Sequence, residues 1–165
     1  PGFETTTGSL AQAISQAGGI ALARKIRNES GKTWVFMSDG EFQEGQTWEA
    51  LSASSFHKLS NLRIIVDVNQ TQCDGPMNSV MSIEPLADRI KAFGWQVSVV
   101  DGHSLPELYE ASQLRTFTPH AIFCYTDPVH GLPLLAAMAP VLHYSRFTTD
   151  YALPHYELSY HDRVC

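Results

Sequence analysis

Residues 33–40 read TWVFMSDG, an apolar run that ends in an acid followed by a glycine. The run 33–37 predicts a short buried strand. After several more acids, residues 46–59 have the pattern of a helix, and the β-branched run LRIIVDV (62–68) predicts the next strand. Strand, helix and strand in this order are typical of a parallel sheet with right-handed crossovers.

The same alternation continues on both sides of this stretch. Upstream, residues 9–27 carry apolar side chains at helical spacing, with Ser9 as a plausible N-cap and basic residues at the other end. Gly18 and Gly19 lie in the middle of this helix and would weaken it unless another element packs closely there. Downstream, the pattern predicts a loop at 69–79, helices at 84–93 and 104–114, and strands at 95–100 and 120–126. We therefore predict an α/β fold, a parallel sheet flanked by helices on both faces.

The composition is that of one ordinary globular domain, with 165 residues, 44% hydrophobic and 17% charged. We assign residues 1–146 to this domain and residues 147–165 to an irregular tail. The net charge of −6 argues against a nucleic acid or an acidic membrane as partner. The longest apolar stretch, residues 131–142, is too short for a membrane span. Three widely spaced cysteines favour a reducing, cytoplasmic location: Cys73, Cys124 and Cys165.

Oxygen-bearing side chains follow two of the predicted strands directly. Asp39 comes after the first strand and Asn69 after the second, about thirty residues later. Ligands of open α/β sheets bind beyond the carboxyl ends of the strands, and Mg²⁺ prefers oxygen ligands. Gly40 would leave room for a phosphate group beside the backbone. Taken singly, Asp39-Gly40 also suits an ordinary turn and Asn69 a helix cap.

Longer stretches resemble the transketolase family. Residues 1–23, PGFETTTGSLAQAISQAGGIALA, resemble the transketolase stretch PGVETTTGPLGQG and the helix after it. Residues 38–76 resemble the family's GDG-x-x-x-EG-x-x-x-EA…LxNL…DxN…DG pattern at nearly every anchor. The resemblance covers about the first 110 residues and is closest to the N-terminal subunit of split transketolases.

This resemblance implies a thiamine-diphosphate-binding fold and the cofactors thiamine diphosphate and Mg²⁺ or Ca²⁺. The implied reaction transfers a two-carbon ketol unit from a ketose phosphate to an aldose phosphate. It also implies a partner, the pyrimidine-domain or C-terminal transketolase subunit, in a homo- or hetero-oligomer such as a dimer. Without that partner, we expect the chain to be inactive.

Site residues follow by matching positions to the family motifs. The metal ligands are the side chains of Asp39 and Asn69 and the backbone carbonyl of Thr71. The cofactor-binding residues are Gly8, Ser9, Leu10, Ser38, Gly40, Glu41, Asn69 and His130. The residues with a catalytic role are Glu44, Glu49 and His130. The first two match acids near the subunit interface, and the histidine belongs to a stretch, TDPVHGLPLL, that resembles the family's HGxPL element.

Several of these residues have a simpler interpretation. Glu44 and Glu49 also suit an acid at a helix start and an exposed helix position, and Leu10 suits the core. Glu41, taken alone, is a solvated carboxylate with no particular role. His130 follows its strand more abruptly than the family pattern and also suits a surface loop. The other histidines are interpreted as structural or exposed: His57, His103, His120, His143, His155 and His161.

The sequence departs from the family pattern at three places. Ser38 replaces the first glycine of GDG, and Ala11 and Ala13 replace the glycines of GQG. The family's upstream substrate and cofactor histidines would precede Pro1, so the sequence suits a piece of a longer protein, a split subunit or a degenerate copy. Two alternatives therefore stand beside a transketolase part, namely a 2-oxo acid dehydrogenase α-subunit-like protein and a non-catalytic remnant or pseudo-subunit.

Overall fold

The computed structural model of the chain describes residues 2–139 together with Pro154 and Glu157. Predictions for the tail 147–165 and for the domain boundary at residue 146 lie outside the described residues. The same applies to Cys165, His143, His155 and His161.

A parallel four-stranded sheet forms the centre of the fold. The strands in the described residues are β1 Thr33–Ser38, β2 Leu62–Val68, β3 Thr71–Gln72, β4 Gly75–Pro76, β5 Gln96–Asp101 and β6 His120–Tyr125. The order in the large sheet is β1-β2-β6-β5, and all three neighbouring pairs are parallel. The predicted parallel sheet is confirmed, with β1 at one edge and β5 at the other.

Helices cover one face of this sheet. Over residues 2–139 the helices are α1 Gln12–Ile26, α2 Gly45–Phe56, α3 Met77–Val80, α4 Leu86–Ala92, α5 Leu105–Gln113 and α6 Pro133–Ala136, and a 3₁₀ turn spans Asp39–Gln43. Helices α1, α2 and α4 pack on the face formed by alternate residues of the strands, such as Ile64, Val66 and Phe123. Burial of these apolar side chains is the main stabilising term of the fold.

The opposite face is covered only in part by the described residues. Helix α5 packs Ala111 against Ile122 and Cys124 of β6. On β1, however, Trp34 and Phe36 point to this face and remain 42% and 73% exposed. Within the described part of the chain, the helical cover on this side therefore extends over β5 and β6 but not over β1.

Helix α1 differs from the prediction at its start. It begins at Gln12, and its N-cap position is Ala11, which has a left-handed φ of 66°. Ser9 is therefore not the cap, because the segment before the helix turns once more before the helical hydrogen bonds begin. The Gly18 prediction fits the structure: a Cβ there would lie 3.5 Å from Ser54 Oγ of α2, so the two helices approach closely at this glycine.

The predicted loop at 69–79 contains regular structure. Strands β3 and β4 form a small antiparallel hairpin, and α3 follows it directly. Gln70 opens the segment with a left-handed φ of 58°, which reverses the chain at the end of β2. Its carbonyl accepts a hydrogen bond from Met77 N at 2.8 Å, so the hairpin closes back on the sheet edge.

Candidate cofactor and metal site

Asp39 lies at the carboxyl end of β1 and is almost fully buried, with 2% of its surface exposed. One carboxylate oxygen, Oδ2, accepts a hydrogen bond from Gln70 N at 2.8 Å. The other oxygen, Oδ1, is buried and has no hydrogen-bond partner among the described residues. A buried carboxylate oxygen without a donor is costly, because desolvation is not compensated. Asp39 is therefore suited to a cation at Oδ1.

The electrostatics of Asp39 point the same way. Burial raises the pKa of the Asp39 carboxyl, and the nearby Asp67 carboxylate raises it further, whereas the hydrogen bond from Gln70 N and the adjacent Gly40 amide act in the opposite direction. The charged form of Asp39 is thus disfavoured in the protein alone. A bound cation would reverse this penalty, since an opposite charge at close range stabilises the carboxylate.

Asn69 lies at the carboxyl end of the neighbouring strand β2. Its Oδ1 accepts a hydrogen bond from Thr71 N at 2.9 Å, and its carbonyl oxygen accepts one from Thr71 Oγ1 at 3.2 Å. Asp39 accepts the amide of the intervening Gln70. The turn after β2 therefore ties together all three predicted metal ligands, Asp39, Asn69 and Thr71, through consecutive backbone amides.

Two further residues at this edge were missed by the sequence reasoning. The Nδ2 of Asn69 donates to Asp67 Oδ2 at 2.8 Å, and Thr126 Oγ1 donates to Asp67 Oδ1 at 2.6 Å. Thr126 directly follows β6, the strand next to β2. The DxN spacing of Asp67 and Asn69 at the end of β2 was a possible signal for Asp67, but no sequence signal connects it with Thr126.

The carboxylates of Asp39 and Asp67 form no salt bridge with a cationic side chain in the described part of the chain. The ion pairs in the described part of the chain are Arg27–Glu29 and Lys91–Asp88. Neither Asp39 nor Asp67 is therefore paired with a cationic side chain there. Over the same part of the chain, no three His, Cys, Asp or Glu side chains form a metal-binding group. A cation at this edge would therefore depend on the mixed donor set of a carboxylate, a carboxamide and a carbonyl, which suits Mg²⁺ or Ca²⁺.

Ser38 and Gly40 flank Asp39 without strain. Ser38 has a φ of −91° and a ψ of 158°, an extended conformation open to any L-residue, so serine in place of the family's glycine does not distort the turn. Of the described atoms, a Cβ on Gly40 would meet only Ser38 Oγ, at 3.8 Å. The Gly40 backbone thus leaves the open space that a diphosphate contact would require.

Glu41 is not a solvated carboxylate, and that simpler interpretation was wrong. It is half-buried, its Oε1 accepts Ser38 N at 3.0 Å and its Oε2 accepts Ala11 N at 2.8 Å. Its backbone carbonyl also accepts the hydroxyl of Thr47. Glu41 therefore fastens the segment before α1 to the end of β1, and both of its oxygens are occupied by this structural role.

The remaining predicted residues lie on the surface. Gly8, Ser9 and Leu10 are exposed, and Leu10, at 55% exposure, is not a core residue. Glu44 precedes α2 and Glu49 lies on it, and both are exposed. A cleft of about 470 Å³ separates residues 2–10 from α1 and β1, and Glu41 lines it, but Asp39 and Asn69 do not. The cleft next to Leu10 therefore does not include the sheet edge that carries the proposed metal ligands Asp39 and Asn69.

His130 is also exposed, and its ring stacks on that of His103, with 4.2 Å between ring centroids. The Nε2 of His103 accepts a hydrogen bond from Asp127 N at 2.9 Å. The two histidines follow β6 and β5 respectively, at the same carboxyl edge of the sheet as Asp39 and Asn69. The exposure expected for His103 is confirmed, but its pairing with His130 was not foreseen.

The arrangement at this sheet edge agrees with the family comparison. The family model described as transketolase, thiamine diphosphate binding domain, matches residues 1–141. The chain belongs to this transketolase domain family. The resemblance of the sequence to transketolases, and the thiamine-diphosphate-binding fold, are thereby confirmed.

Relatives of this transketolase domain include whole enzymes and separate subunits. An uncharacterised transketolase family protein of Sinorhizobium fredii is 42% identical over 141 residues, which are 83% of this chain and 50% of that protein. One of the subunits of the apulose-4-phosphate transketolase of Phocaeicola vulgatus is 35% identical over 142 residues, 84% of this chain and 50% of that one. The chain thus spans about half the length of these curated relatives.

A solved structure supports the same assignment. The transketolase of Campylobacter jejuni superposes with a TM-score of 0.71 at 30% identity, over 76% of this chain and 21% of that one. Among the described residues of this transketolase domain, no helix combines the length and the apolar character that crossing a membrane requires.

Proposed function

We propose that the chain is the N-terminal, cofactor-binding part of a transketolase and holds thiamine diphosphate through a divalent cation, Mg²⁺ or Ca²⁺. The observation that carries this proposal is the buried, unpartnered Oδ1 of Asp39, next to Asn69 and Thr71 at the carboxyl edge of the described sheet. The cofactor is inferred from the domain family, which is described as binding thiamine diphosphate. The cation is inferred from the donor set and from the two carboxylates that no described cationic side chain pairs with.

Different residues of the chain bind the cation and contact the cofactor. Asp39, Asn69 and the carbonyl of Thr71 hold the cation, and Gly40 lets the diphosphate approach the backbone. Gly8, Ser9, Leu10 and Ser38 border the cofactor. When bound, thiamine diphosphate supplies the nucleophilic carbon and the electron sink that transfer of a two-carbon ketol unit between sugar phosphates requires.

Proton handling is assigned to residues near the surface. An imidazole near the diphosphate can act as a general acid or base, and we assign this role to His130 because its stretch resembles the family's HGxPL element. Glu44 and Glu49 lie on the loop and helix after β1, where both side chains keep some access to solvent. We assign them to an interface with a pyrimidine-domain partner, the C-terminal transketolase subunit, in a cytoplasmic oligomer that is active only when assembled.

Calorimetric titration with thiamine diphosphate and Mg²⁺ tests the proposal, with the C-terminal subunit of a split transketolase present. The wild-type chain should bind the cofactor only when Mg²⁺ is added. Asp39→Asn should lower the affinity at least about 100-fold, since it removes a charged ligand. Asp88→Asn, which removes a surface carboxylate paired with Lys91, is the matched control and should bind normally.

Two results would contradict the proposal. Absence of cofactor binding in the presence of the partner subunit would favour the non-catalytic remnant, which is consistent with the short connection between β6 and His130. Turnover of a 2-oxo acid in place of a ketose phosphate by the assembled protein would favour the dehydrogenase α-subunit-like alternative.

A further inference from the structure

Asp67 is a half-buried carboxylate that the proposed function does not use. It occupies the penultimate position of β2, two residues before Asn69. One of its oxygens accepts Asn69 Nδ2 at 2.8 Å and the other accepts Thr126 Oγ1 at 2.6 Å. Both oxygens thus have side-chain donors, and both bonds lie at the edge where the cation is proposed.

The bond between Asp67 and Asn69 fixes which way the carboxamide faces. A carboxamide has a donor end and an acceptor end, whereas an ionised carboxylate only accepts. Asp67 can therefore bind only the NH₂ end of Asn69, which leaves the oxygen on the other side. That oxygen accepts Thr71 N at 2.9 Å and retains a lone pair for a cation.

Thr126 in turn fixes Asp67. Its hydroxyl reaches Asp67 from the end of β6, and its backbone N donates to Val68 O at 3.2 Å, so the threonine is held on the neighbouring strand. A threonine side chain has few rotamers, so its hydroxyl is a rigid anchor. The carboxamide of Asn69 is consequently held at both ends, by Thr71 N at its oxygen and by Asp67, which Thr126 anchors, at its NH₂ group.

We propose that Asp67, anchored by Thr126, is a positioning residue that holds the Asn69 carboxamide with its oxygen available to the cation. The inference rests on the proposed function, because it concerns the same cation site. Asp67 also adds negative charge near Asp39 without contributing a ligand of its own. Residues that orient metal ligands in this way change metal affinity by about 10- to 100-fold when they are replaced.

A matched pair of substitutions at Thr126 tests this role. Thr126→Val keeps the shape of the side chain and removes the hydroxyl, whereas Thr126→Ser keeps the hydroxyl and removes the methyl group. With thiamine diphosphate and partner subunit present, Thr126→Val should weaken Mg²⁺ binding about tenfold and Thr126→Ser less than about twofold. Asp67→Leu should weaken it at least as much as Thr126→Val. Equal affinities for wild type and Thr126→Val would overturn the proposal.

A second measurement on the chain alone separates this inference from the proposed function. The side-chain NH₂ resonances of Asn69, observed by ¹⁵N-edited NMR, should shift in Thr126→Val and Asp67→Leu but stay near their wild-type positions in Thr126→Ser. Backbone spectra show whether each variant folds. If Asp67→Leu does not fold, the Asn69 resonances of Thr126→Val alone test the positioning role. If the wild type binds no cofactor, the proposed function fails. If the wild type binds the cofactor but the Asn69 NH₂ resonances do not shift in Thr126→Val, only the positioning role fails.

Discussion

The imidazole ring of His130 stacks on that of His103, with 4.2 Å between the ring centroids and 23° between the ring planes. The Asp127 amide donates to Nε2 of His103, so the loop after β6 is held against the turn after β5. His130 therefore owes its place at the carboxyl edge of the sheet to a contact with another strand's loop.

His103→Ala should release this loop. Loss of a backbone hydrogen bond of about 1 kcal/mol should accelerate hydrogen exchange at the Asp127 amide about fivefold to tenfold. His103→Phe keeps an aromatic ring beside His130 but offers no acceptor, so it should accelerate the amide while preserving the ring environment of His130. His57→Ala, at an exposed histidine elsewhere, is the control, and unchanged Asp127 exchange in His103→Ala would refute the contact.

His120 makes the fold sensitive to acid. It is fully buried, its Nδ1 has no hydrogen-bond partner among the described residues, and its Nε2 lies 2.9 Å from Ser98 Oγ. Burial, with additional repulsion from Arg63 and Lys32, lowers the pKa of His120 from 6.5 to about 4. The unfolded chain therefore takes up this proton below pH 6.5, whereas the folded protein takes it up only near pH 4.

The resulting loss of stability should be measurable by urea unfolding. As the pH falls from 6.5 to about 4, the free energy of unfolding should decrease by about 3 kcal/mol through His120 alone. His120→Gln should abolish most of this dependence, while His57→Gln should retain it. An identical pH profile for wild type and His120→Gln would contradict the assignment.

Asp39→Asn should stabilise the chain while it weakens cation binding at least about 100-fold. Because the folded-state pKa of Asp39 is raised, the charged carboxylate destabilises the fold as the pH rises above the ordinary value of 3.8. An unpaired buried amide costs less than an unpaired buried carboxylate. Without divalent ions, thermal unfolding at neutral pH should show a higher midpoint for the variant, and the difference should vanish below about pH 4.

Added Mg²⁺ and cofactor provide the complementary measurement for Asp39. They should raise the melting midpoint of the wild type, because ligands that bind only the folded state stabilise it, and should leave Asp39→Asn unchanged. A variant less stable than wild type in the absence of ions would show that Asp39 is a structural residue.

Gly102→Ala should destabilise the protein through a clash at the same sheet edge. A Cβ on Gly102 would collide with Thr126 Cγ2 and lie 3.0 Å from Tyr125 O. Overpacking of this kind costs about 1–3 kcal/mol, measurable by chemical unfolding. Adding Thr126→Ser removes the nearest clashing atom and should restore part of the loss. Gly19→Ala, a helical position with open space around it, should instead be neutral or stabilising.

The sheet could be predicted from the sequence because its strands carry dense apolar patterns. Residues 62–68 were predicted without error, and the strand predicted at 33–37 differs from β1 by one residue. The pattern within each strand does not determine which strands are neighbours, and the order β1-β2-β6-β5 was not predicted. Strand order depends on packing between segments that are far apart in the chain.

The candidate site was predictable where family motifs mark it and not elsewhere. Asp39 and Asn69 could be selected because each directly follows a strand. Asp67 and Thr126 could not be connected, since their hydrogen bond joins residues that are 59 positions apart. Glu41 was misinterpreted for the same reason, because its donor Ala11 N lies 30 positions away in the sequence. The local sequence does not indicate that a distant amide will donate a hydrogen bond to this carboxylate.

The exposed side of β1 has a consequence for the behaviour of the chain in solution. β1 is an edge strand, no described strand pairs with its outer side, and Trp34 and Phe36 extend from it into solvent. An unprotected strand edge with aromatic side chains is a template for pairing with other chains. The solubility of the isolated chain therefore depends on what covers β1, and self-association should become more pronounced as its concentration rises.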